Sequence, residues 1–447
     1  MSRIYFTIAI IIFTASTAGA QEVVHLSLKD CMEYAMKHNY NIKNAQIDVL
    51  IQKAQNNETL SASYPHINGK AEFDDFYVPQ SSFVDASGFN PTLPKGSIQA
   101  ISFTVPYAAS VGVTTSQLIF DGAVFVAWKA RNTVMELARQ SGQVTEENVR
   151  YNVYKAYNSL VIAYRQYDII KSSLGYARSL EHDLEITQQN GFAEKIDVER
   201  TSVQVNNLAT DSIRIGNLLK VSEDVLKYQM GMSMSSHVIL TDTVVEQRKL
   251  AATDLLMQDG NYDRIPEYKV VNTTLRLNEY NLQRYKLAAL PTLNGFWAYG
   301  TNTGSDKFEK LFYQRNYWAN STIGIQLNMP IFNGALRVNQ VREAKLNIEK
   351  SQNNIENMKL TIDFQVSTSR TSLKNAILQV QSQRRNMELA DDVLDLAQKK
   401  YKAGVGSNLE VTQAQTDQLR AQTNYFNALL DVINAEADLK KALGLLK

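Results

Sequence analysis

The sequence predicts an α+β protein in which very long helices alternate with pairs of short strands, in two tandem copies of one pattern. First, none of the eight prolines lies within 107–265 or 331–447, so each of these stretches can hold long uninterrupted helices. Second, the segment 116–123 recurs in related form at 328–335. Third, four short segments alternate apolar and polar residues with a period of two, as strands with one wet face do.

The first 20 residues are typical of a secretory signal sequence. Arg3 supplies the positive charge, and a short apolar stretch follows from Ile4 to Phe13. Small residues, Ala18 to Ala20, precede the expected cleavage ahead of Gln21. A membrane anchor is the alternative, but the apolar stretch is shorter than the roughly 20 residues that a spanning helix needs. We therefore expect the mature protein to leave the cytoplasm.

The composition argues against several classes of protein. The chain has 46 Lys and Arg against 45 Asp and Glu, so its charge gives no indication of nucleic-acid binding. Cys31 is the only cysteine, which rules out an intrachain disulfide. No cysteine directly follows the cleavage point, so lipid attachment there is not supported. Beyond residue 20 the sequence has no long apolar run, so any membrane crossing should be made by β-strands.

The long helices are predicted from proline-free stretches with a coiled-coil repeat. Gly334 to Lys400 can form one helix roughly 100 Å long. Apolar residues recur there every seven positions, the spacing of a coiled-coil seam, at Leu373, Val380, Met387, Leu394 and Tyr401. Gly404 and Gly406 then supply a turn into a return helix, which predicts long antiparallel coiled-coil helices. The polar remaining faces suit either a solvated exterior or a water-filled lumen.

The duplication sets the predicted domain organisation, a first repeat over 21–260 and a second over 261–447. Each repeat should hold a helix, two strands, a long helix and a return helix. In the first repeat the strands are expected at about 66–78 and 107–120 and the last two helices at about 122–188 and 193–230. In the second repeat the strands are expected at about 293–300 and 317–329 and the last two helices at about 334–401 and 407–443.

The four strands have the length and the alternation of membrane strands. Between Tyr317 and Asn328, Ile323, Ile325 and Leu327 share one face, opposite polar residues and glycine. Strands of roughly 9–11 residues with this pattern cross a bilayer in β-barrels, although a soluble sandwich could show the same alternation. The smallest single-chain barrels have about eight strands, so membrane insertion would require several chains to share one barrel.

The turn of the second repeat carries a family motif. Tyr401-Lys402-Ala403-Gly404, followed by Asn408-Leu409-Glu410-Val411-Thr412-Gln413-Ala414-Gln415, resembles the Tyr-x-x-Gly, Asp-Val-Leu and Ala-Gln signature of the TolC family of outer-membrane efflux proteins. The Ile-Phe-Asp/Asn-Gly segments at 119–122 and 331–334 add to the resemblance, which covers essentially the whole mature chain.

The resemblance implies an α+β membrane protein of the outer membrane that extends into the periplasm. It implies a homotrimer, in contact with outer-membrane lipid, whose long helices form a periplasmic α-barrel and whose four strands per chain contribute to a shared transmembrane β-barrel. Such a protein is the passive exit duct of a tripartite efflux or type I secretion system. Its expected partners are a periplasmic adaptor (membrane fusion) protein and an inner-membrane efflux pump. The alternative is a periplasmic or surface coiled-coil scaffold without a conducting pore.

The resemblance also indicates which residues surround the periplasmic entrance. Asp197 and Glu410 occupy matching places in the two repeats, and Glu410 aligns with a family aspartate at the entrance. In a trimer they could form an acidic ring that favours cations, or they could simply stabilise the first turn of each return helix. Tyr401 matches a family tyrosine that helps to hold the entrance shut, whereas Gln413 and Gly406 replace a family aspartate and arginine.

The two turns form the helical tips. We interpret Gly191 and Gly404 as turn formers, because a reversal needs backbone conformations that side chains penalise. The resemblance implies that the adaptor contacts the tips at Gly191, Phe192, Ala193, Gly404, Val405, Gly406 and Ser407.

The sequence offers no arrangement of residues for catalysis. It lacks a nucleophile paired with a base, a glycine-rich phosphate loop and a His-Glu metal motif. Cys31 and His38 could share one helical face, but two candidate ligands do not make a metal site. We therefore expect no enzyme activity, no cofactor and no metal.

Overall fold

The computed structural model describes residues 23–78, 80–241, 254–313 and 317–446, so the predicted signal sequence at 1–20 lies outside the described residues. The chain divides into two compact units. The helical unit comprises the described residues of Met1–Asp48, Arg139–Val270 and Glu356–Lys447, and the sheet unit comprises those of Val49–Ala138 and Val271–Ile355. Each unit draws on both sequence repeats.

The elements are numbered in chain order. The strands are β1 (Val23–Leu26), β2 (His66–Asp75), β3 (Ser81–Asp85), β4 (Ile98–Ser102), β5 (Tyr107–Phe120), β6 (His237–Leu240), β7 (Thr292–Ser305) and β8 (Trp318–Asn328). The helices are α1 (Leu28–His38), α2 (Tyr40–Ser61), α3 (Gly122–Gln189), α4 (Lys195–Met230), α5 (Pro266–Leu287), α6 (Lys310–Tyr313), α7 (Leu336–Lys402) and α8 (Asn408–Ala442). In the described part of the chain, no helix combines the length and the apolar character needed to span a membrane.

Four strands of the sheet unit form one antiparallel sheet in the order β2-β5-β7-β8. Strand β7 is longer than the predicted strand at 293–300, since its pairing with β5 continues until Ser305 lies opposite Tyr107. The sequence did not indicate these last residues because they are polar or glycine and show no apolar alternation. Strand β2 ends at Asp75, three residues before its predicted end. Among the described strands, β2 and β8 each pair with one neighbour, so the sheet has two free edges.

The two strand-to-helix corners differ. At the first, the Asp121 carboxylate accepts a hydrogen bond from the N–H of Ala123 at 2.7 Å, and α3 begins directly at Gly122. At the second, Gly334 and Ala335 have φ angles of 65° and 66°, which an α-helix cannot contain. Helix α7 therefore begins at Leu336, two residues after its predicted start.

The helical unit is held together along the predicted seam. Leu373, Val380 and Leu394 of α7 are buried, and Leu373 is completely inaccessible to solvent. Leu373 and Val380 belong to a core cluster that includes Tyr425 and Ile433 of α8. The coiled-coil pairing of α7 with its return helix is confirmed by this packing.

Candidate functional site

The first helical tip lies between α3 and α4. Gly191 adopts a left-handed conformation with φ of 79°. Its N–H donates to the carbonyl of Gln188 at 2.9 Å, and the N–H of Phe192 donates to the carbonyl of Thr187 at 2.9 Å. These bonds occupy carbonyls that the end of a helix would otherwise leave without a partner. The Phe192 side chain is 85% exposed and Ala193 is partly buried.

The second tip, between α7 and α8, has the same design. Gly404 has φ of 74°, and the N–H groups of Val405 and Gly406 both donate to the carbonyl of Lys400 at 3.1 Å. A Cβ on Gly406 would lie 2.9 Å from the backbone nitrogen of Tyr401, so a side chain would not fit without a shift. Ser407 caps α8, because its hydroxyl oxygen accepts the N–H of Glu410 at 3.2 Å.

Beneath the tips, all four long helices share one apolar cluster. Leu180 and Leu184 of α3 pack with buried residues of α7 and α8, including Leu394 and Val411. Ala193, Val198 and Tyr401 pack against this cluster. The helical tips of the two repeats are therefore joined by burial of apolar surface.

Asp197 and Tyr401 lie close together beside this cluster. Asp197 is in the first turn of α4 and is half-buried, with an Arg200 guanidinium nitrogen 3.9 Å from its carboxylate. Burial raises the pKa of Tyr401, and the negative charges of Asp197 and Asp183 raise it further. Sequence reasoning missed Asp183, which the fold of α3 brings to the same place.

Glu410 and Gln413 occupy a different part of the tip. Both are exposed and line an open groove of about 510 Å³ between α7 and α8. The groove wall also includes the exposed Val393 and Leu396, and Gln413 donates its amide N–H to the Asp417 carboxylate at 3.0 Å. Within one chain, the predicted entrance residues thus form two pairs, Asp197 with Tyr401 and Glu410 with Gln413.

Sequence reasoning also missed a buried polar contact between the two repeats. The amide nitrogen of Asn408, at the start of α8, donates to the carbonyl oxygen of Asp197 at 3.3 Å and to the hydroxyl oxygen of Thr201 at 3.1 Å. The Thr201 hydroxyl donates to the same Asp197 carbonyl at 2.9 Å. Asn408 and Thr201 are 4% and 1% exposed. An asparagine after a helix cap is ordinary in a sequence, so no local signal could have revealed this contact.

The described residues contain no group of three or more His, Cys, Asp and Glu side chains that could hold a metal ion. Cys31 is buried, and the ring of His38 stacks on Tyr34 with centroids 4.2 Å apart. Cys31 packs in a core cluster with Val153 of α3 and Leu226 of α4.

Comparison with known proteins points to outer-membrane channels. Residues 275–445 match the family described as outer membrane efflux protein. The chain is 19% identical over 396 residues to the outer membrane protein TolC of Salmonella enteritidis. This alignment covers 87% of this chain and 76% of that relative. It is 23% identical over 351 residues to the probable efflux pump outer membrane protein TtgC of Pseudomonas putida, covering 76% of this chain and 69% of the relative.

The fold is also similar to a solved outer-membrane structure. The outer membrane protein VceC from Vibrio cholerae matches with a TM-score of 0.67 at 15% identity, over 93% of this chain and 96% of that one. The match therefore includes both the helical unit and the sheet unit.

Proposed function

Because this chain belongs to the TolC family of outer-membrane efflux proteins, we propose that three copies of it assemble into the exit duct of a tripartite efflux or type I secretion system. The observation that carries the proposal is the four-stranded sheet with two free edges, β2 and β8. Exposed backbone N–H and C=O groups at such edges cannot remain unpaired inside a bilayer. Copies of the chain that pair β2 with β8 of the next copy would satisfy these groups and close one shared barrel.

The surface of β8 suits contact with lipid. Ile323, Ile325 and Leu327 point to one face and are 82%, 72% and 65% exposed in the single chain. The alternating positions from Asn320 to Asn328 carry polar residues or glycine, which suit a water-filled interior. This division supports the proposal that outer-membrane lipid contacts one face and transported solute the other.

The helical tips suit an interaction with a periplasmic adaptor. Phe192 and Val405 are 85% and 77% exposed on glycine turns, one in each repeat. Exposed apolar side chains that adjoin one another mark sites that bind a protein partner, and we propose that the two tips together form such a site. An inner-membrane efflux pump would supply the energy, and the duct itself would conduct solutes passively without catalysing a reaction.

The acidic residues of the tips would set the selectivity of the entrance. In a trimer, Asp197 and Glu410 from each copy would surround a narrow opening, where negative charges favour cations over anions. The competing explanation is that both carboxylates only stabilise the first turns of α4 and α8 through the helix dipole. Both residues do lie in those first turns, so position alone does not separate the two explanations.

Single-channel conductance of the purified mature protein in planar bilayers tests the duct. We expect small, cation-favouring currents from the wild type. A well-folded, membrane-inserted oligomer that carries no current would contradict the duct and favour the coiled-coil scaffold.

The charge ring is tested by combining Asp197→Asn with Glu410→Gln, which removes charge but keeps size. We expect the preference for cations to decrease. The matched control combines Glu343→Gln with Glu349→Gln, two exposed carboxylates of α7 in the sheet unit, and should leave the preference unchanged. If the tip variant loses stability but keeps the wild-type ion preference, the helix-dipole explanation is correct.

A further inference from the structure

The contact made by Asn408 joins the two repeats at the level of the entrance residues. Its amide nitrogen reaches α4 at the carbonyl oxygen of Asp197 and at the Thr201 hydroxyl. Glu410 lies two residues further along α8. Displacement of Asn408 would therefore move both acidic residues of the tip relative to one another.

The Asn408 side chain forms hydrogen bonds through its amide nitrogen but not through its oxygen. The side-chain oxygen of Asn408 is buried and has no hydrogen-bond partner in the described structure. A buried polar atom without a partner destabilises the arrangement that buries it, whereas water would satisfy the same atom if α4 and α8 moved apart. The donated hydrogen bonds thus hold the two helix starts together, and the unpaired oxygen favours their separation.

The neighbouring contacts are less specific. Val198 and Val411, which lie next to this polar contact in sequence, contribute to the shared cluster only through apolar packing. Apolar packing is non-directional, so it tolerates small shifts that would break a hydrogen bond. The relative position of the first turns of α4 and α8 therefore depends on the Asn408 amide.

We propose that Asn408 is a positioning residue that holds the first turn of α4 against the first turn of α8 and thereby limits how far the entrance of the duct widens. The inference rests on the proposed function as a duct. Its structural part, that the amide holds the two helix starts together, can be measured whether or not the protein conducts.

Two substitutions separate the hydrogen bonds from packing. Asn408→Leu keeps a similar volume but removes the donor and the unpaired oxygen. Asn408→Asp keeps the shape, removes the donor at neutral pH and restores one when the carboxyl group is protonated. The open fraction is the share of time that a single channel spends open in a planar bilayer. For Asn408→Asp we expect it to be about fivefold to thirtyfold above that of the wild type at neutral pH. Asn408→Leu should raise it less, because this variant also removes the unpaired oxygen. For Asn408→Asp alone, the open fraction should return toward the wild-type value as the pH is lowered.

Amide hydrogen exchange gives an independent readout. Exchange at residues 195–205 and 408–416 should become faster in both variants than in the wild type at neutral pH. The matched control is Asn278→Leu, since the Asn278 amide donates to the Ser351 hydroxyl at 2.7 Å between α5 and α7 of the sheet unit. This control should change neither tip exchange nor the open fraction.

The outcomes separate the two proposals. Faster tip exchange with a raised, pH-reversible open fraction supports the positioning role. Unchanged tip exchange in folded variants overturns it, as does a conducting wild type whose open fraction matches that of both variants. If the folded wild type carries no current, the duct proposal fails, while tip exchange still decides whether Asn408 holds the two helices together.

Discussion

Replacing Glu147 with glutamine should remove a loss of stability that the wild-type protein undergoes between about pH 4.5 and pH 7. Glu147 of α3 is 5% exposed, and one of its carboxylate oxygens is buried without a hydrogen-bond partner. Burial raises its pKa from 4.5 to about 7, and the negative charge of Glu267 adds to this effect. The positive charge of Lys441, whose ammonium group donates to the Asn148 side chain at 2.6 Å, acts in the opposite direction.

The sign and the size follow from linkage. Because the pKa is raised in the folded state, the stabilisation from the protonated carboxyl group is fully present below pH 4.5 and is lost as the pH rises through about 7. Each unit of pKa difference corresponds to about 1.4 kcal/mol. The free energy of unfolding should therefore decrease by roughly 3 kcal/mol between acidic and mildly alkaline solution because of this one group.

The measurement is denaturant unfolding followed by the helical circular dichroism signal at pH 5 and pH 8, at one protein concentration. Glu147→Gln should be more stable than the wild type at pH 8 and should show a smaller difference between the two pH values. The control Glu267→Gln removes a neighbouring charge but leaves Glu147 buried, so most of the pH dependence should remain. If Glu147→Gln keeps the full wild-type pH dependence, the assignment to this carboxyl group is refuted.

Two further predictions concern packing and backbone conformation. Leu373→Ala, at a completely buried position of the α7 seam, should lower the free energy of unfolding by about 2–5 kcal/mol, whereas Leu378→Ala, 57% exposed on the same helix, should change it little in the same denaturation assay. Gly231→Ala should lower the thermal unfolding midpoint, because Gly231 has φ of 71° and a Cβ there would lie 2.7 Å from the carbonyl oxygen of His38. Gly142→Ala has open space within α3 and should leave the midpoint unchanged or raise it; a decrease as large as that of Gly231→Ala would contradict the steric argument.

The long helices and their turns could be predicted from local sequence. Helix α3 was expected at 122–188 and extends over Gly122–Gln189. A helix satisfies its hydrogen bonds within a few residues, so absence of proline and a regular apolar spacing are sufficient to predict it. The turns at Gly191 and Gly404 follow for the same reason, since positive φ is a property of one residue.

Other features depended on residues that are distant in sequence. The last residues of β7 are a strand because β5 pairs with them, and their own composition gives no such indication. Asn408 and Thr201 are separated by 207 residues, and Glu147 acquires its raised pKa from burial and from Glu267 of another helix. Spacing along one chain segment predicts which face of a helix is apolar. Only the packing of separate segments decides which polar groups become buried and which atoms they contact, because those atoms belong to residues that are far apart in sequence.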